Sequence, residues 1–427
     1  MDTITKNKIK MLGTAATISS TLRFNSASRM QMATTMAGQA VVPKHSDLPR
    51  ILTGFEKQMA EFTFSVRAPE DLVIVAMVSK YQRGMGESVI QFNPLTTVIY
   101  RSVETYRFGC FHIPTYQNQI DRVHETFSFR YQLTKLGESL HPKMRLHRGD
   151  LIAHSPNHRH GGYGTGLSTS VVYMATPYTI EDGFEVSRSF VERASPIATG
   201  VRRAEFGRRY YPLNMYPNPN HPGKYMPFPN IGDRIRDDGI VFALRKNDPY
   251  LAGLEMTNRS LQDIDFKHDR IEYGEPGAVV VDVTVTCGSP NEGKNPTKPR
   301  SIHTPQGMDE VALIYENQIG VYYGKILDIY YQQKRENHNS ITLTPEFQTL
   351  IEFAMGHKPN SAPRMWSDME GKTVDQRTLD PTTAYSTRTI QKTMKAKPID
   401  EWFVEIIYAW EFKIGVGSKV SDLHGGK

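Results

Sequence analysis

The sequence predicts a β-rich α+β fold, and three observations carry that expectation. Runs rich in β-branched and aromatic residues, bounded by Gly or Pro, occur at 72–78, 278–285, 319–331 and 403–414. Capped patterns with helical spacing are fewer. Apolar residues make up 39% of the chain and charged residues 22%, with 19 Phe and 21 Tyr, enough apolar surface to form a core and to exclude a disordered chain. A length of 427 residues corresponds to two or three units.

Taken in chain order, the first expected helix spans 27–36, where Ser26 or Ser28 caps it and Arg29 lies in its first turn. A strand is expected at 169–174, just before Glu181-Asp182. Residues 211–230 hold six prolines, which are incompatible with a helix interior or a central strand, so a connector is expected there. Residues 287–300, rich in Gly, Pro, Asn and Lys, read as a loop. The clearest helix begins at Thr344, with Pro345 in its first position, Phe347, Leu350, Ile351 and Ala354 on one face, and Gly356 as its stop. Two turns resemble each other, Gly149-Asp150 and Gly232-Asp233. In each, Gly accepts φ > 0 and Asp can bond its own backbone.

Net charge is +6, and the excess is uneven: residues 1–60 carry eight Lys or Arg against three acids. Further basic clusters are Lys143, Arg145 and Arg148, and Arg202, Arg203, Arg208 and Arg209. Such a balance fits a polyanionic partner such as nucleic acid. Cys110 and Cys287 alone cannot build a disulfide framework or a four-thiolate zinc site. No run approaches eighteen apolar residues, so no membrane span or membrane partner is expected. Lys6, Lys8 and Lys10 precede a stretch at 11–22 that imitates a secretion signal, but five Thr or Ser residues dilute it. The expectation is therefore a chain that is not secreted, resident in the cytoplasm with reduced thiols.

Three short segments carry chemistry. In Lys413-Ile414-Gly415-Val416-Gly417-Ser418-Lys419 and Leu423-His424-Gly425-Gly426-Lys427, glycines let backbone approach a ligand and lysines favour phosphate oxygens, although the Walker spacing is not met. Glu181 and Asp182 are a candidate Mg2+ pair, and adjacency on an extended chain lets one of them reach a given site. Arg29, near a helix N-terminus, suits a triphosphate. Three other groups read as structural. His154, His158 and His160 lie in a loop without a zinc pattern, and no zinc is expected. Asp263, Asp265 and Asp269 read as solvated charge, and Gly162, Gly164 and Gly166 lack the strand–turn–helix setting of a dinucleotide loop.

Read together and in order, these segments resemble the large β subunit of multisubunit DNA-directed RNA polymerases. Ala27-Ser28-Arg29 through Met36-Ala37-Gly38-Gln39-Ala40-Val41 is similar to that family's Ala-Asn-Arg … Asn-Met-Gln-Arg-Gln-Ala-Val. Gly149-Asp150-Leu151-Ile152-Ala153 with Pro156 is similar to its Gly-Asp-x-x-Ala-Asp-Gly-Pro, and Tyr178-Thr179-Ile180-Glu181-Asp182 to its Tyr-Asn-Phe-Glu-Asp. The tail from Tyr408-Ala409 to Lys427 is similar to Tyr-Ala-x-Lys-Arg-Lys-Ile-x-Val-Gly-Asp-Lys followed by Gly-Arg-His-Gly-Asn-Lys. Ser28, Ser418 and Leu423 stand where the family has Asn, Asp and Arg. Between 190 and 400 only Gly232-Asp233 matches.

The resemblance implies a role for each matched residue. Arg29 would contact the incoming nucleoside triphosphate, Gln39 would lie by the RNA–DNA hybrid, and Lys419 and Lys427 would line the path of the RNA 3′ end, with His424 beside them in substrate binding. Asp182, with Glu181, would help to position the second Mg2+. The catalytic Mg2+ would be held by an Asp-x-Asp-x-Asp motif on a partner β′ subunit, a triplet missing from this chain. The chain would then be half of a composite site and inactive alone, with DNA template, RNA transcript and nucleoside triphosphates as its ligands. The implied fold is part of a double-psi β-barrel core with hybrid-binding and flap-like modules. Its division would be a fork-proximal helical segment at 1–45, hybrid-binding and barrel residues at 46–190, a flap-like and connecting region at 191–400, and a return to the barrel at 401–427. Regions that family members carry upstream of Arg29 and beyond Lys427 would come from further β fragments, as in the split, diverged polymerases of giant bacteriophages, in host cytoplasm or a phage compartment, or else the sequence would be one exon or fragment of a longer chain. Without the resemblance, charge and β content also fit a non-catalytic nucleic-acid-binding or virion structural module, and the histidine loop leaves open a metal-dependent hydrolase.

Overall fold

The computed structural model describes residues 13–80, 95–121, 126–179, 183–206, 209–218, 222–246, 262–287, 308–338, 340–356 and 402–424. These form a β-rich α+β protein in which one sheet curls into a half-barrel. Five antiparallel strands build the largest sheet, in the order Val279–Cys287, Trp402–Glu411, Ile197–Phe206, Thr126–Arg130, Tyr116–Asp121. Its second strand, Trp402–Glu411, alternates, with Val404, Ile406 and Tyr408 facing inward and Glu405 outward. Ten consecutive register pairs join it to Ile197–Phe206, and the pair Arg203–Glu405 closes as a 2.6 Å ion pair on the outer face. Opposite Tyr408 the register places Gly200, where a Cβ would overlap the tyrosine ring. Phe206, Phe228, Phe242, Val280, Ile406 and Tyr408 form the core beneath this sheet.

A second sheet runs Phe108–Pro114, Leu95–Ser102, Leu72–Ser79, Arg145–Leu146. It is apolar on both faces. One packs Leu72, Ile74, Val98 and Leu146 against Ile152 and Ala153, and the other packs Val78, Ile99, Phe108 and Cys110 against two helices, Met308–Glu336 and Pro345–Gly356. The second helix starts as its sequence dictates, with Phe347 N–H donating to Thr344 Oγ1 and Phe347, Ile351 and Ala354 buried.

Four expectations are corrected. Residues 319–331 are helical, inside Met308–Glu336, not a strand. Their buried positions, Tyr322, Ile326 and Leu327, recur at helical spacing, and that period outweighs aromatic and β-branched composition. Residues 169–174 are not a strand, because no other strand pairs with them. Residues 211–230 are not a connector: Tyr211, Leu213, Met215, Tyr216, Met226 and Phe228 are buried, and the prolines are accommodated beside two- and three-residue strands. Asp269 is not solvated. Its side chain is fully buried and bonded at 2.8 Å by both Arg245 Nε and Nη2, which holds the Arg245 guanidinium well above its ordinary pKa. The loop expected at 287–300 lies outside the described residues beyond Cys287.

The two Gly-Asp turns have one architecture. Gly149 and Gly232 take φ of 88° and 91°. Asp150 Oδ2 accepts from His147 N–H at 2.8 Å, and Asp233 Oδ2 accepts from Asn230 N–H at 2.8 Å. Each turn also grips one residue of a crossing segment by both backbone groups. Gly149 N–H donates to Ala68 O and Ala68 N–H to Asp150 O, while Gly232 N–H donates to Val280 O and Val280 N–H to Asp233 O. Burial pushes the Asp233 carboxyl up, and the bond from Asn230 only partly offsets it.

Candidate functional site

Four of the residues singled out from the sequence are described, and they lie on two segments that the fold brings together. Arg29 is the third residue of the helix Ala27–Gln39, and its N–H donates to the capping Ser26 hydroxyl at 3.4 Å. The helix buries Met30 and Ala33 and exposes Arg29, Met32 and Gln39, because positions three apart share its inner face. Gln39 is its last residue. Directly after it the Gln119 amide bonds both Ala40 O (3.1 Å) and Val42 N–H (2.9 Å), which fixes the helix exit on the strand Tyr116–Asp121.

The second segment follows the strand Trp402–Glu411. After Glu411 the chain reaches exposed Lys413, turns through Gly415–Ser418 with Gly417 at φ 91°, and continues to exposed Lys419. Ser418 N–H donates to Gly415 O at 3.0 Å, and the Ser418 hydroxyl accepts from Gly415 N–H at 3.3 Å, so this turn is bonded by its own serine. Val416 stands at its apex in full solvent.

The two segments meet at their ends. Thr21 Oγ1 donates to Leu423 O at 3.1 Å, and His424 Nδ1 lies 3.2 Å from the amide nitrogen and 3.3 Å from the amide oxygen of Asn25. An amide beside an imidazole can donate to a bare ring nitrogen or accept from a ring N–H, so either tautomer can make this contact. Lys44 and Glu411 add a 3.1 Å ion pair between the segment after the helix and the end of the strand Trp402–Glu411. Asn25 and His424 are 399 positions apart in sequence.

The junction is rich in cations. Arg23, Arg29, Lys413 and Lys419 are exposed, and none makes an ion pair among the described residues. The acids nearest in sequence are already engaged: Glu411 with Lys44, and Asp422 Oδ1 with His424 N–H. Each of these exposed cations, on one or other of the two joined segments, is a side chain of the type that favours phosphate oxygens.

The remaining predicted site residues, Glu181, Asp182 and Lys427, lie outside the described residues. Their surroundings are partly defined. Thr176 and Thr179 bridge, with hydroxyls 2.8 Å apart, and the Thr176 hydroxyl also bonds Glu185. Among the described residues no three His, Cys, Asp or Glu side chains converge as a metal-binding group. His154 and His158 have ring centroids 4.9 Å apart, and His160 sits on the following turn at φ 47°. Burial first, then the neighbouring His154 and Arg67, lower the His158 pKa below its ordinary value.

No protein-family profile matches the chain, and no curated protein is similar to it in sequence.

Sequence reasoning missed Thr21, Asn25 and Gln119, the residues that join the two segments. Each is a common polar residue whose partner lies far away along the chain, and a lone Thr, Asn or Gln carries no local signal of such a role. Asp47 was also missed. Its carboxylate accepts from Arg193 at 2.6 Å and from Ser168 N–H at 3.1 Å, tying the segment after the helix to the loop 166–168. Gly164 packs so closely on Asp47 O that a Cβ would collide with it, a structural reason for one of the glycines at 162–166.

Proposed function

We propose that this chain is a subunit fragment of a DNA-directed RNA polymerase, contributing residues that hold the nucleoside triphosphate and the RNA 3′ end to a composite site. The observation that carries the reading is the Asn25–His424 junction, in which a helix bearing Arg29 and a Gly-rich turn bearing Lys419 are held together from opposite ends of the sequence. In this reading Arg29 binds the triphosphate, Lys419 and Lys427 neutralise charge along the path of the 3′ end, and His424 and Gln39 border substrate and hybrid. Nucleotidyl transfer accumulates negative charge on the reacting phosphate, and preorganised cations in a fixed frame stabilise that charge more than they stabilise the ground state. Asp182, with Glu181 beside it, would assist the second Mg2+, while a β′-like partner bearing the aspartate triplet would hold the first. The ions supply charge neutralisation to the triphosphate. The reading assigns the half-barrel sheet to one part of a double-psi β-barrel.

Lys419→Ala or Arg29→Ala in the assembled complex should slow elongation by roughly a hundredfold, about 3 kcal/mol, the cost typical of losing one contact to developing charge. Rates within about twofold of the parent enzyme would exclude these roles. The isolated chain should neither synthesise RNA nor bind template tightly, and robust synthesis by it alone would overturn the composite site.

A second reading is favoured by the same unpaired cations: a non-catalytic, basic nucleic-acid-binding or virion structural module. It requires Lys419→Ala to weaken binding of all sequences alike, to reduce the salt dependence of that binding, and to leave nucleotidyl transfer untouched.

A further inference from the structure

The exit of the helix Ala27–Gln39 is clipped to a sheet by the side-chain amide of Gln119. Its Oε1 accepts from Val42 N–H at 2.9 Å and its Nε2 donates to Ala40 O at 3.1 Å. The two bonds flank Val41 and fix the amide in one orientation, because its oxygen only accepts and its nitrogen only donates.

The strand offers this side chain through an irregularity. Where Tyr116–Asp121 pairs with Thr126–Arg130, Asn118 faces Ser128 and Ile120 faces Phe127, so Gln119 is the inserted residue of a β-bulge. A bulge leaves its extra residue outside the ladder and re-aims its side chain. Both neighbours of Gln119 are tied down. Asn118 Oδ1 accepts from the Ser128 hydroxyl at 3.1 Å, and that hydroxyl lies 3.1 Å from the hydroxyl of Thr199, both residues being buried. Thr199 in turn faces Ala409 on the strand Trp402–Glu411. On the other side, the Phe127 ring opposite Ile120 meets Phe412 edge-on at 5.3 Å, and Phe412 N–H donates to Pro196 O at 2.9 Å.

Phe412 is the root of the segment that carries Lys413 and Lys419. The exit of one segment and the root of the other are therefore fixed to adjoining positions of one sheet, while Asn25 and His424 join their far ends. Length makes the clip matter. From Arg29 to Ala40 the helix runs about 16 Å at about 1.5 Å per residue, so a swing of about 10° at its exit moves Arg29 by about 3 Å. Displacements smaller than that cost reactions heavily.

We propose that Gln119 is a positioning residue of the candidate site, setting the Arg29 helix against the sheet from which the Lys419 segment emerges. The role rests on the reading that Arg29 binds the triphosphate, and Gln119 acts through Arg29 without touching substrate.

The test is a double-variant cycle in the assembled complex. Gln119→Leu keeps the bulk of the side chain and removes both bonds. It should lower kcat/KM for the nucleoside triphosphate about tenfold. Added to Arg29→Ala it should lower that value by less than about twofold, because the contact it positions is already gone. Additive losses, or a single variant within about twofold of the parent, overturn the role. Hydrogen exchange on the full chain reads the clip without catalysis. In Gln119→Leu the amides of 36–42 should exchange about tenfold faster while those of 126–130 keep their rates. Equal exchange at 36–42 shows that other contacts hold the helix exit, and acceleration at 126–130 as well shows a general loss of structure; either result overturns the proposal. A parent complex that makes no RNA removes the polymerase reading and this role with it, whereas an active parent matched by its Gln119→Leu variant removes this role alone.

Discussion

Single side chains in this protein acquire their properties from burial and from partners distant in sequence. His158 is the clearest case. Burial, His154 and Arg67 depress its folded pKa, while in the unfolded chain it titrates near 6.5. The unfolded chain therefore takes up the proton first as pH falls. Stability is complete above about pH 6.5 and is lost progressively below it, down to the depressed folded value. His112, lowered by burial, adds a slope of the same sign. The urea midpoint should fall as pH drops below about 6.5, and His158→Asn should flatten that fall, leaving the part due to His112. An unchanged slope in the variant would show that His158 is not the group concerned. Cys110 shows the same physics on a thiol. Burial first, then Glu346, push it to about 12, so it is held as an unreactive core residue.

At the scale of elements, the long helix Met308–Glu336 does more than cover a sheet. Tyr322 passes its hydroxyl into the sheet, 2.6 Å from Thr97 Oγ1, which in turn lies 2.9 Å from His112 Nδ1. Thr97 is fully buried and keeps His112 as a partner, so Tyr322→Phe removes one of its hydroxyl's two bonds and should cost about 1 kcal/mol, measured as a lower urea midpoint with unchanged helix content. A loss under about 0.3 kcal/mol would mean the hydroxyl finds another partner. This helix is also where local reading of the sequence fails. The strands at Leu72–Ser79, Val279–Cys287 and Trp402–Glu411 were legible because period-2 burial and Gly or Pro boundaries are local properties, and the helices at Ala27–Gln39 and Pro345–Gly356 because Ser26 and Thr344 cap them. The 319–331 run was misread because Tyr, Ile and Val composition outweighed its spacing. The 169–174 segment was misread for the opposite reason: it has the composition of a strand, but a strand exists only where another pairs with it. Both Gly-Asp turns were legible as turns. That each grips one residue of a crossing segment, Ala68 or Val280, was not, because neither partner adjoins its turn in sequence.

For the whole molecule, the largest sheet gathers residues from 116–130, 197–206, 279–287 and 402–411, so most of its pairings are non-local and folding should be slow relative to helical chains of this size. The candidate site has the same character. Arg29 and Lys419 were singled out as residue types suited to phosphate, and Gln39 and His424 only through the family resemblance; the contact that joins their two segments depends on Asn25 and Thr21. Asn25→Leu removes the bond to His424 without touching core. It should loosen 413–424 by about 1 kcal/mol, read as about fivefold faster tryptic cleavage at Lys419 with an unchanged global transition. Equal cleavage rates would show that the tail is held by other contacts.

The meeting of 21–25 with 423–424 also gives the described polypeptide the path of a nearly closed ring. Where two remote stretches already touch, joining them adds little further cost in loop closure. A short linker across that seam, with a new opening in the exposed bend at Gly223, should yield a circular permutant that folds to the same architecture.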